Sequence, residues 1–137
     1  MNLTRALYDY LIDDDELVAM LGTYKDTPAI FTSDPAPGNT PTPYIVMAGH
    51  AVDVAFDTKT LFGREITRDV RCYTSATGSA EVVELIAERV RRLLHRQPLL
   101  VDDYEWILSD VSGPLVADEK DYQARVLSLR IIYMEVV

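Results

Sequence analysis

Few residues in this chain have the type and spacing that chemistry demands. Its two histidines, His50 and His95, lie far apart in the sequence, and neither has a second ligand at the short spacing a zinc site uses. The single cysteine, Cys72, has no partner for an intrachain disulfide; its place in Val70-Arg71-Cys72-Tyr73 reads as an apolar strand position rather than a nucleophile's. No Gly-rich phosphate loop, G-x-S-x-G elbow, C-x-x-C or H-E-x-x-H occurs. The acidic run Asp13-Asp14-Asp15 could suggest a metal, but three carboxylates opening a helix are better explained by attraction to the positive end of the helix dipole. Other carboxylates are abundant, with no pair singled out as an acid–base couple. These residues point to no catalytic group, no bound cofactor and no metal.

The remaining dense group is basic: Arg89, Arg91, Arg92, His95 and Arg96. Helical spacing puts Arg89, Arg92 and Arg96 on one face, which a phosphate backbone could use. Stacking aromatics are not interleaved with them, and Glu81, Glu84 and Glu88 precede them. Late arginines also suit a helix C-terminus, Glu88 and Arg92 stand at i,i+4, and an acidic neighbouring subunit could be the partner. The whole chain carries 13 basic against 22 acidic residues, a net charge of −9. DNA binders rely on basic surface, so this balance argues against nucleic-acid affinity and is equally compatible with plain solubility.

Several elements must position these groups. The 137 residues, 48% hydrophobic and 26% charged, suit one soluble globular domain spanning 1–137 with its own core. No apolar run reaches the ~20 residues of a membrane-spanning helix, and Met1–Arg5 lacks the pattern of a secretory signal, so folding in a reducing cytoplasm is expected. Leu3, Ala6, Leu7, Tyr10 and Leu11 predict an amphipathic helix over 3–12. Asp13 with Glu16 reads as a capping-box variant opening a second helix that ends at Gly22. The Pro-rich run 33–43 is a loop, after which Tyr44 to Met47 form a strand. Residues 51–63 lack clean periodicity and, with 33–43 and 113–121, should be the least regular parts, although Phe56, Leu61 and Phe62 are apolar.

Residues 64–74 alternate, with Ile66, Val70 and Cys72 on one face. Val83, Ile86, Val90 and Leu93 or Leu94 mark a helix over 79–96. Two β segments follow, 104–112 and 122–136; the second is apolar on both faces near its end, as in a central strand or one covered by another subunit. The expected class is α+β, an antiparallel or mixed sheet packed against helices in two layers.

The order of these features resembles the tail terminator (tail completion) proteins of lambda- and HK97-like siphophages and related phage-like particles. The resemblance rests on Ala6-Leu7-Tyr8, Asp15 to Gly22, Ile30-Phe31, the loop leading into Pro43-Tyr44-Ile45-Val46, and Val70 to Thr74 leading through Gly78 and Ser79 into the long helix. An acidic loop at 118–121 and the arginine-containing strand Ala124 to Tyr133 complete it. It covers nearly the whole chain through order and spacing rather than any single motif. It implies a non-enzymatic virion protein, assembled in the host cytoplasm, whose six copies form a ring on the tail tube. Such a ring stops tube polymerisation and meets the head connector or stopper protein, and DNA passes through its lumen without being read. Phe56, Leu61, Phe62, Arg89, Arg92 and Arg96 are the candidate partner-interface residues. A head-closure or tube-like component and, more distantly, a small enzyme or ligand-binding domain remain as alternatives.

Overall fold

Helix α1, Leu3–Ile12, forms because Leu3, Leu7 and Leu11 repeat on one face and are all buried, while Asn2 accepts the Arg5 amide hydrogen at 3.0 Å as N-cap. Each buried leucine contributes about 1.5–3 kcal/mol relative to an exposed one. Helix α2, Asp15–Met20, starts one residue later than the sequence suggested: Asp14, not Asp13, is the N-cap and accepts from the Leu17 amide at 2.8 Å, and Asp13 ends α1. The structure is a computed structural model that describes residues 1–33 and 36–136, with the side chains of 48–51 outside the described set.

The strands are β1, Thr23–Tyr24; β2, Thr27–Pro28; β3, Ile30–Phe31; β4, Tyr44–Ala55; β5, Gly63–Ser75; β6, Tyr104–Val116; and β7, Tyr122–Glu135; helix α3, Glu81–Leu94, falls between β5 and β6. β1 and β2 form a small hairpin, and the main sheet has the order β3-β4-β5-β7-β6, antiparallel except for β3 beside β4. This is the expected mixed α+β sheet with helices packed on it. Ile45, Met47, Ile66, Val70, Cys72, Val111, Leu127, Leu129, Ile131 and Tyr133 line its inner face and join the buried faces of α1, α2 and α3 in one core. A second cluster, Ala29, Tyr44, Val46, Tyr73 and Ala124, gathers separately with Tyr24, Phe31 and Tyr122 around it.

Two strands are longer than their sequence patterns. β4 continues to Ala55, so the first five of the thirteen residues expected to be irregular belong to a strand paired with β5. Register shifts between Met47 and Val52 explain the miss: bulges break the two-residue period that marks a strand. β6 likewise runs through Gly113-Pro114 to Val116, with a register shift between Ser112 and Leu115 absorbing the turn-like dipeptide. Gly113 has φ +96°, and a Cβ there would lie 2.7 Å from the Val126 carbonyl oxygen, so only glycine fits. Helix α3 is shorter than 79–96 because His95 is extended and Arg96 takes a left-handed φ of 59°. β7 lies between β5 and β6 and buries Ile131 and Tyr133 together with Ile132 and Met134, the two-faced apolar end its sequence announced.

Candidate assembly surfaces

The apolar group Phe56, Leu61 and Phe62 sits at the turn joining β4 to β5. This turn is not a loose loop. The Phe56 amide donates to the Gly63 carbonyl at 2.9 Å and the Thr58 amide to that of Leu61 at 2.9 Å, while the Gly63 amide donates to Asp57 Oδ1 at 3.0 Å. The Glu135 amide donates to the Phe62 carbonyl at 2.8 Å, tying the turn to the end of β7. A hydrogen-bonded turn therefore holds Phe62 out at 70% exposure, with Phe56 and Leu61 also exposed. Val52 and Val54, opposite Thr67 and Glu65 on β5, are exposed too and extend the apolar stripe along β4. Their alternation with Asp53 and Ala55 was present in the sequence but hidden by the preceding bulges.

The basic group divides. Arg89 turns towards α2, giving Asp14 two hydrogen bonds, from Nε at 3.0 Å and Nη2 at 2.7 Å, and reaching Glu16 at 3.2 Å. The guanidinium holds the Asp14 carboxyl below the usual carboxylate range, an effect that burial opposes and the Leu17 amide reinforces. Arg91 points the other way and donates to the carbonyls of Val111 and Gly113, each at 2.7 Å. His95 Nδ1 accepts the Val111 amide hydrogen at 3.0 Å, and the Arg96 amide donates to the Ser109 carbonyl at 3.0 Å. These groups cover the middle of β6, the outer strand at this end of the sheet, and give partners to the Ser109, Val111 and Gly113 carbonyls and the Val111 amide. Arg92 and the Arg96 side chain stay exposed without a hydrogen bond or ion pair among the described residues, and the i,i+4 pair Glu88–Arg92 is not formed. Arg89 and Arg92 line one groove, but Arg89 is already committed to Asp14 and Glu16.

Two further arginines tie elements together. Arg130 spans Glu65 on β5 and Asp110 on β6 at 2.6 and 3.2 Å, and the buried Arg125 joins Glu84 of α3 to Asp118 at 3.2 and 3.1 Å. Cys72 is fully buried, and burial pushes its thiol up to about 12, which makes it inert at neutral pH. The side chain of His50 lies outside the described residues. Among the described residues no group of three or more His, Cys, Asp or Glu is placed to hold a metal ion, and no helix is long and apolar enough to cross a membrane. A shallow cleft lined by Tyr44, Tyr73, Tyr122, Pro37 and Glu119 has its rings packed on one another, Tyr44 on Tyr73 at 5.0 Å between centroids. The arrangement offers contact surface rather than reactive groups.

No curated protein matches the chain. Among solved structures, a chain from the virion of a native gene transfer agent particle superposes with a TM-score of 0.79 at 18% identity, covering 96% of this chain and 93% of that one. The gp17 protein of bacteriophage SPP1 superposes with a TM-score of 0.58 at 21% identity, covering 99% and 89%. Both share the fold. The family described as Tail completion protein gp17 matches residues 5–134, nearly the whole length, and the chain therefore belongs to this family of structural phage tail proteins.

Proposed function

We propose that this protein closes the end of a phage or phage-like tail tube as a ring of six copies, ends tube polymerisation and presents the joining surface to the head connector or stopper. The observation that carries this reading is the hydrogen-bonded β4–β5 turn with its exposed Phe56, Leu61 and Phe62, in a chain of the tail completion family. Large apolar side chains held out by a hydrogen-bonded turn are costly in an isolated molecule and suit insertion against a partner. The tail tube protein is the partner we assign to this turn, and copies of the chain itself to the flanks of the subunit. An acidic ring, each copy contributing a charge of −9, would repel phosphates and let DNA slide through unread. Assembly takes place in the host cytoplasm and the product resides at the head–tail junction of the virion.

Electron microscopy of the purified protein, alone and with its tail tube protein, tests the reading. Single six-membered rings capping blunt tube ends are expected. Long tubes built from this chain would make it a tube subunit, and monomers that leave tube growth unchecked would remove the terminator role.

A further inference from the structure

The ring reading leaves open which surfaces of neighbouring copies meet, and resting on that reading we infer that the α2–α3 groove of one copy receives the β6–β7 corner of the next. A ring of identical subunits in head-to-tail contact needs two different patches on opposite flanks of the subunit. Helix α3 separates two such flanks. At about 100° per residue, Arg89 and Arg91 point to nearly opposite sides; the first reaches Asp14 at the start of α2, the second the backbone of β6. β6 is the last strand of the sheet on that side.

Each flank carries apolar side chains beside unpaired charge, with arginines in excess on one and carboxylates in excess on the other. On the α2 flank, Met20 and Leu85 line an open groove with Glu88 and Arg92, both exposed and without an ion pair, and Leu85 is 54% exposed. Glu16 and Arg89 in the same groove satisfy each other. Arg92 has no ion pair, and neither has the nearby exposed Arg96. On the β6 flank, Leu115 and Val116 are 68% and 69% exposed at the end of the strand, next to the turn carrying Glu119 and Asp121. Asp118 of that turn is committed to Arg125, whereas the exposed side chains of Glu119, Lys120 and Asp121 make no ion pair. Arg92 and Arg96 outnumber Glu88 on one flank, Glu119 and Asp121 outnumber Lys120 on the other, and a second copy supplies the carboxylates that the arginines lack. An apolar centre with a charged rim is the usual anatomy of such a contact, the charges fixing register.

The test is a charge swap on the full chain, under conditions where wild type forms rings. Arg92→Glu, and separately the pair Glu119→Arg with Asp121→Arg, should each reduce the ring population at least tenfold by native mass spectrometry, with unchanged circular dichroism and thermal midpoint. Arg92→Gln should give a smaller loss. An equimolar mixture of the two reversed proteins should recover rings, because every contact in an alternating six-membered ring is then matched. Rings undiminished in either reversed protein, or unrestored in the mixture, overturn this pairing and leave the ring itself standing. Absence of rings from wild type, even beside tube protein, overturns the ring reading and this inference together.

Discussion

Asp14 holds two helices with one carboxylate, capping α2 through the Leu17 amide and gripping Arg89 of α3. Asparagine keeps the cap but not the charge, and alanine keeps neither. Asp14→Ala should therefore lose about 1 kcal/mol from the cap alone, and Asp14→Asn should be the milder change. The pH dependence has a definite sign. The folded-state pKa is lowered, so the stabilisation is complete above the ordinary carboxylate pKa near ~4 and is lost as pH falls through the depressed value. Urea unfolding of wild type below about pH 4 should accordingly fall off more steeply with acidity than that of Asp14→Asn. Parallel curves for the two would show that the pair is not formed in solution. Tyr133 provides a second residue-level test. Its buried hydroxyl donates to the Leu99 carbonyl at 2.7 Å, and removing it strands that carbonyl inside the core. Tyr133→Phe should cost about 1–3 kcal/mol in the same measurement.

At the scale of elements, the hairpin turn separates stability from assembly. Phe56, Leu61 and Phe62 are exposed, so changing all three to serine should move the thermal midpoint little, since exposed substitutions usually stay within about 0.5 kcal/mol each. The same change should abolish capping of tubes in a length assay, and normal tube lengths would rule the turn out as the docking element. This turn also marks where the sequence ceased to be readable. Regular periods made α1, α3, β5 and β7 legible, because a continuous apolar stripe has one structural meaning. The far halves of β4 and β6 were not legible, since bulges after Met47 and at Ser112 shift the alternation from one face to the other. The division of the basic cluster was hidden for a different reason. Spacing gives the direction of a helical side chain but not what stands there, and only the fold shows that Arg89 meets Asp14 whereas Arg91 meets the edge of β6. The helix end thereby covers that edge. Arg91→Ala frees the Val111 and Gly113 carbonyls on an outer strand, and should raise self-association by light scattering without a matching change in helix content.

For the whole molecule the question is what a net charge of −9 does to DNA. Affinity for duplex grows with the number of phosphates that cations can neutralise together, and it falls steeply with salt for the same reason. Here the cations that looked dense in sequence are dispersed. Arg89 is held by two carboxylates and Arg91 by backbone carbonyls, which leaves Arg92 and Arg96 as the exposed members of the group. Two arginines against a surplus of acids cannot track a phosphate backbone, so no duplex binding is expected at physiological salt, and at most a trace at low salt. A fluorescence anisotropy titration of labelled duplex, repeated as salt is raised, measures this directly. The comparison protein is Arg92→Gln with Arg96→Gln, because replacing Arg89 or Arg91 would also disturb the contacts of α3. Wild type and this variant should give the same flat titration. Salt-sensitive binding by wild type that the variant loses would mean that the ring grips DNA as it passes, and the account of a repelling, unread passage would have to be given up.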